Sequence, residues 1–219
     1  MISVSTLDIK GYQHQAVPNT FMRQDRETSH LAILFPGMGY AASMPVLYYP
    51  GRILVGQGAD LLGLEYDYKR SSFQALSDEE QDRWFFADIS AACDTGLAQR
   101  SYEQVTVLGK SIGTLAMGHL LTTEPRLQEA RWIWLTPLLR NERLRDQIKQ
   151  IKHRALFVIG SADGHYDLGL LAEVERATGG DSLVIEGANH SLEIEHDIMQ
   201  TIHALERVLE AIKRFLTES

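Results

Sequence analysis

Six short runs rich in β-branched and aromatic residues punctuate this chain: LAILF (31–35), GLEYDY (63–68), QVTVLG (104–109), RWIWLTP (131–137), RALFVIG (154–160) and SLVIEG (182–187). Several are almost continuously apolar, the pattern of strands buried on both faces of a parallel sheet. Between them lie stretches of helical period, at roughly 43–59, 78–98, 112–123, 141–150, 168–177 and 195–217. The last places Ile194, Ile198, Ile202, Leu205, Leu209, Ile212 and Leu216 at steps of three and four, an apolar stripe for docking on a sheet. Such alternation predicts an α/β fold: a mostly parallel sheet with helices on both faces. Residues 1–28 are less regular and are expected to add one or two edge strands, with DIKGYQHQAVPNTF read as an edge hairpin. No repeat, linker or low-complexity segment divides the 219 residues, so one domain spanning 1–219 is expected.

In an open parallel sheet, ligands bind beyond the carboxyl ends of the strands. The segment VTVLGKSIGT (105–114) sits at such an end and admits two readings. As a phosphate loop it needs a glycine five residues before Gly-Lys-Ser. That position is Gln104, and VTVL fills the loop's place with a strand. No acidic partner strand stands out either. As a nucleophile elbow it needs a strand, a sharp turn with small residues two positions to either side of the nucleophile, and a helix. VTVL, Gly109, Gly113 and IGTLAMGHLLTT supply these around Ser111.

A serine hydroxyl needs a base, and the base needs an orienting acid. In elbow proteins these follow in the order Ser, Asp or Glu, His, each past a later strand. ALFVIG runs into GSAD, which puts Asp163 past one strand; SLVIEG runs into GANH, which puts His190 past the next. The blander roles are a helix N-cap for Ser111 and a turn residue for Asp163 in SADG. Asp167 is a rival acid on the same loop. The position after the preceding strand reads LTPLL and has no carboxylate. Among the other histidines, His165 reads as a pocket wall, and His119, His153 and His203 as surface or satisfied core. His190, Glu193 and His196 in HSLEIEH could share a helix face and hold a metal. The segment lacks the adjacent Glu-His pair of the inverted zinc motif, and no metal is expected. Lys110 is read as a solvated or rim side chain, with pairing to a carboxylate beside the site as the alternative. Trp132 and Trp134 read as core.

These motifs together resemble the α/β-hydrolase family from about Leu31 onward: FPGMG after an early strand, GKSIG, GSAD, and GANHS before a long final helix. The chain is most similar to its small, lid-less members akin to dienelactone hydrolases. FPGMG has Pro36 where the family often has His. The resemblance implies an oxyanion hole formed by the Met38 and Ile112 amides. It also implies a serine hydrolase acting on a small soluble ester or thioester, with no cofactor. Between Pro137 and Arg154 there is room for about one helix and no large lid. Tyr40, Leu138, Leu139, His165, Tyr166 and Leu192 are the expected pocket walls. The same triad could serve a peptidase or amidase, and a non-catalytic binding scaffold is the alternative class.

Charge and composition narrow the partners. A formal net charge of −8 disfavours nucleic acid and anionic membrane as partners, and the triad and the resemblance imply a small acyl compound as substrate. The N-terminus lacks the basic start and apolar stretch of a secretory signal, so a cytoplasmic protein is expected. The single cysteine, Cys93, excludes an intrachain disulfide and reads as a small core residue.

Overall fold

The computed structural model describes residues 1–152 and 155–217. Eight strands form one sheet: β1 (Ile2–Ser5), β2 (Asn19–Gln24), β3 (His30–Phe35), β4 (Asp60–Leu64), β5 (Gln104–Lys110), β6 (Arg131–Leu135), β7 (Ala155–Gly160) and β8 (Asp181–Ile185). Their spatial order is β1-β2-β4-β3-β5-β6-β7-β8. The pairs from β4 to β8 are parallel, and β1–β2 and β2–β4 are antiparallel. The helices are α1 (Pro45–Gly56), α2 (Ser71–Gln74), α3 (Asp78–Leu97), α4 (Ile112–Thr123), α5 (Glu142–Ile148), α6 (Leu168–Thr178) and α7 (Ile198–Thr217).

Side-chain alternation along the strands builds two cores. Ile33, Val107, Trp132, Trp134 and Phe157 point to the face covered by α3, α4, α5 and α6. Leu34, Leu108, Ile133, Leu135 and Val158 point to the face covered by α1 and α7. Period-two strands with apolar residues on both sides need helices on both faces, and each helix supplies one apolar side. Trp132 and Trp134 are both fully buried and stack at 5.9 Å. Cys93 is buried in the larger core, and desolvation pushes its thiol up to about 12, as suits an inert packing residue. No helix among the described residues is long and apolar enough to cross a membrane.

Several boundaries differ from expectation. The strand predicted at 63–68 ends at Leu64, and Tyr66 and Tyr68 stack on each other at 4.7 Å in the following loop. Aromatic residues satisfied a strand pattern there, but these rings pack edge-to-face against α3 residue Phe85. The segment 8–21, predicted as an edge hairpin, does fold back on itself: Lys10 and Ala16 form an isolated antiparallel bridge, and the Val17 amide donates to the Ile9 carbonyl at 3.0 Å. It lies largely in the connection between β1 and β2, which pair as Ile2–Ser5 with Phe21–Gln24. The final helix starts at Ile198, not 195. Its buried side is Ala204, Val208, Ile212, Phe215 and Leu216, while Ile198 and Ile202 are exposed. The docked face is thus rotated from the predicted stripe: Ile212 and Leu216 lie on it, and Leu205 is only partly buried. His153 and Arg154 lie outside the described residues.

Asp60, at the start of β4, ties β4 to β2 and to the loop that leads into β5, away from the carboxyl-end rim. It is fully buried, accepts from the Gln24 amide at 2.7 Å and Tyr102 Oη at 2.8 Å, and lies 2.9 Å from Arg100 Nε. Removing one member of a buried pair leaves the other uncompensated. Asp60→Ala is therefore expected to cost about 3–5 kcal/mol in urea unfolding. A loss under about 1 kcal/mol would contradict this account of the β2–β4 junction.

Candidate active site

The rim at the carboxyl ends of β3, β5, β7 and β8 gathers the candidate groups. β5 lies between β3 and β6, and passes into α4 through a single residue, Ser111, whose φ of 55° is in the left-handed region. That turn is possible because both flanking glycines lie where no side chain fits. A Cβ on Gly113 would sit 2.2 Å from the Phe35 carbonyl oxygen, and one on Gly109 would sit 2.5 Å from Met117 Sδ. The elbow thus places α4 tightly against the end of β3. A strained φ at a non-glycine residue costs energy, and it persists because strand and helix over-determine it.

Ser111 Oγ lies 2.8 Å from His190 Nε2, and His190 Nδ1 lies 2.8 Å from Asp163 Oδ2. With the proton on Nδ1, the imidazole donates to the carboxylate and accepts the serine hydroxyl through Nε2. Asp163 is buried after β7, and also accepts from the His165 amide at 2.9 Å. Burial pushes its carboxyl up, but the hydrogen bonds from His190 and His165 more than offset this and hold it below the usual 3.8. The rival acid Asp167 caps a helix instead, its Oδ1 accepting from the Gly169 and Leu170 amides at the start of α6.

The segment 190–197 contains no helix, so His190, Glu193 and His196 share no helix face. His196 is 91% exposed at its side chain and lies beside Glu195. No group of three or more potential ligands that could hold a metal exists among the described residues. His119 stacks on Phe86 at 4.4 Å with Nε2 3.0 Å from Ser90 Oγ, and His203 is exposed on α7. Both lie outside the Ser111–His190–Asp163 chain of contacts.

Beside the elbow, Gly37 and Tyr40 exchange main-chain hydrogen bonds at 3.1 and 3.2 Å, a turn whose closure does not use the Met38 amide. Gly37 is so near the elbow that a Cβ on it would lie 3.3 Å from Ser111 Cβ. Met38 and Ile112 both line a cavity of about 440 Å³. Of the expected pocket walls, Tyr40 lines this cavity and His165 stands with its ring 5.5 Å from that of His190. Leu138 and Tyr166 are partly buried against the larger core. Leu139 and Leu192 are buried core residues, on opposite faces of the sheet, and do not line the cavity. Sequence adjacency to a strand end suggested them, but apolar side chains there turned inward.

Two features escaped the sequence reading. Ala42, Glu65, Tyr66 and Lys69 line the cavity, and Tyr66 Oη donates to the Pro36 carbonyl at 2.5 Å. Nothing local marks a loop after a neighbouring strand as cavity wall; the sheet order does. Lys110 is the larger correction. It is 1% exposed, not a rim residue, with Nζ 2.7 Å from the His190 carbonyl oxygen and 3.0 Å from Thr136 Oγ1. Even positions of β5 face α1 and α7, and at the strand's end that direction leads beneath the His190 loop.

The strand order, the elbow and the loops after β7 and β8 can be compared with known folds. No family model and no curated protein matches the chain. Solved structures do. An esterase from Pyrococcus furiosus is 14% identical, with 98% of this chain and 91% of that chain covered at a TM-score of 0.69. Est1E from Butyrivibrio proteoclasticus, bound to ferulic acid, is 15% identical over 99% and 94% of the two chains at 0.70. This chain has the α/β-hydrolase fold. A Klebsiella pneumoniae protein provisionally named a dienelactone hydrolase shares the fold at 13% identity, covering 98% and 99% at 0.65. Within this α/β-hydrolase fold the interval between β6 and β7 holds one helix, the seven-residue α5, and no lid among the described residues.

Asp163 makes acid sensitivity predictable in sign. A carboxyl held below its ordinary value contributes stability at neutral pH, and that contribution is lost as pH falls through the folded-state value. The stability difference between wild type and Asp163→Asn, from urea unfolding, is expected to be greatest above about pH 5. It should close as pH falls below the usual carboxylate range. A difference that stays constant from neutral to strongly acid pH would contradict the assignment.

Proposed function

We propose that the chain is a serine hydrolase that cleaves a small soluble carboxylic ester or thioester through an acyl-enzyme. The observation that carries this reading is the continuous hydrogen-bonded chain Asp163–His190–Ser111, ending on a serine held at φ 55° between strand and helix. An N-cap serine would have extended backbone and a side chain accepting from its helix. Ser111 has neither: its side chain makes no cap hydrogen bond and points to His190.

Ser111 Oγ attacks the acyl carbonyl while His190 Nε2 takes its proton. Asp163 keeps the imidazole proton on Nδ1 and stabilises the imidazolium that forms. The negative charge that develops on the carbonyl oxygen is met by the Met38 and Ile112 amides. The Ile112 amide is free for this role because the first amides of a helix have no intrahelical acceptor. Donors aimed at a developing oxyanion contribute about 3–4 kcal/mol each to the transition state. His190 then returns the proton to the leaving group, and water releases the acyl group by the same route.

The 440 Å³ cavity beside these amides is within the range for small-ligand sites and is lined by both apolar and charged side chains. That supports a compact soluble substrate over a long lipid. The esterases that share the fold support the same reaction class.

A fluorophosphonate probe is expected to label wild type, with labelling abolished in Ser111→Ala. Turnover of p-nitrophenyl acetate should fall at least about 10⁴-fold in the same variant. Failure of well-folded wild type to take the label would sink the reading and favour a non-catalytic scaffold.

A further inference from the structure

Lys110 stands next to the proposed nucleophile in sequence, yet its side chain plays no part in the proton transfers just described. Burying a lysine is costly, because desolvation penalises the charged form. The cost is partly met by placing the ammonium among polar groups. Nζ donates to the His190 carbonyl at 2.7 Å and to Thr136 Oγ1 at 3.0 Å, and it lies 4.7 Å from the centroid of the Tyr40 ring. Two hydrogen bonds and an aromatic face suit the three N–H groups of one ammonium.

These contacts come from three separate loops. Tyr40 belongs to the turn that carries Met38, and its Oη accepts from the Val46 amide at 3.1 Å. Thr136 follows β6 with φ 43°, and its amide donates to the Val158 carbonyl at 2.6 Å. His190 belongs to the twelve residues, 186–197, that connect β8 to α7 without a regular element. That connection is shaped by Asn189, whose Oδ1 accepts from the Ser191 and Glu193 amides, and by Leu192 at φ 61° in the core. Among these contacts, Lys110 joins the backbone of His190 itself to the elbow strand.

We propose that Lys110 is a positioning residue for His190: its buried ammonium clamps the main chain of the His190 loop to β5 and so keeps the imidazole within reach of Ser111. The charged groups that bear on the ammonium are Asp163 after β7 and Glu193 on the His190 loop, both attracting it; the Tyr40 ring faces it from the turn after β3. Burial lowers its pKa from the ordinary 10.5 to about 8, with Asp163 and Glu193 acting in the opposite direction. The clamp is therefore charged at neutral pH and loses its charge as pH rises through about 8. The same shift sets the sign for stability. Between pH 8 and 10.5 the unfolded chain binds more protons at this site than the folded one. Holding the charge thus weakens the fold below pH 8, and stability from this group rises with pH through that window.

The proposal rests on the serine-hydrolase reading, and fluorophosphonate kinetics separate the two. In Lys110→Met, at pH 7, the maximal inactivation rate is expected to fall about 10- to 100-fold, as for a catalytic group displaced by about 1 Å. The probe's KI should be unchanged, and the melting temperature no lower than wild type. A mere packing role predicts the opposite pairing, with stability lost and the remaining folded enzyme labelled normally. In wild type alone, the labelling rate should decline as pH rises through about 8, and Lys110→Met should lack that decline. Should the Met variant fail to fold, Thr136→Val, which removes one of the two acceptors of the ammonium, is expected to lower the inactivation rate with KI unchanged, and an unchanged rate there overturns the proposal. Wild-type labelling of Ser111 together with an unchanged rate in Lys110→Met overturns it alone. Absence of wild-type labelling removes the triad reading and this proposal with it.

Discussion

α4 approaches the carboxyl end of β3 so closely that a single methyl group on Gly113 would collide with the Phe35 and Pro36 carbonyls. The other features of the rim follow from this contact. It forces β5 to turn into α4 within one residue, which drives Ser111 to φ 55° and lifts its hydroxyl above the sheet. It brings the Gly37–Tyr40 turn against the elbow, so that the Met38 amide and the first amide of α4 line one cavity. Because β5 has β3 on one side and β6 on the other, the elbow is reached by loops from both directions. His190 and Asp163 arrive from the β8 and β7 side, and the Met38 turn from the β3 side.

Strain and buried polar side chains meet at this rim. Ser111, Thr136 and Leu192 all have positive φ there, and Lys110, Thr136 and Asp163 are buried polar residues. Elsewhere, apart from the buried Asp60 cluster at the opposite end of the strands, apolar side chains alternate between two cores. A fold that tolerates such local cost at one edge needs a well-packed remainder, and strain of this kind is characteristic of functional sites. Lys110 typifies the arrangement. Its charge is unfavourable for burial, yet its two hydrogen bonds join β5 to Thr136 after β6 and to the main chain of the His190 loop.

The esterases that share this architecture do so at 14–15% identity while covering 98–99% of the chain. A sheet of this kind depends on hydrophobic period, strand order and a few glycines, which many sequences satisfy. What a sheet of this kind does depends on the groups placed on it and does not follow from the sheet alone.

Much of this was legible in the linear sequence. Two-sided apolar strands alternating with helical segments determine a covered parallel sheet, because no other layer arrangement buries those surfaces. Gly109, Ser111 and Gly113 behind VTVL specify the elbow through sterics that act within a few residues. Asp163 and His190 were readable because each sits at a strand end, where the sheet's geometry brings chain-distant loops together. What lay beyond the sequence was decided by neighbours distant in the chain. Leu139 and Leu192 occupy core rather than cavity because the rim's apolar residues can turn either way. Ala42, Glu65, Tyr66 and Lys69 became cavity wall because β4 lies beside β3. Lys110 looked like a solvated cation by residue type alone. Only the convergence of Tyr40, Thr136 and the His190 carbonyl around it makes a buried ammonium sustainable, and that convergence exists in the tertiary structure alone.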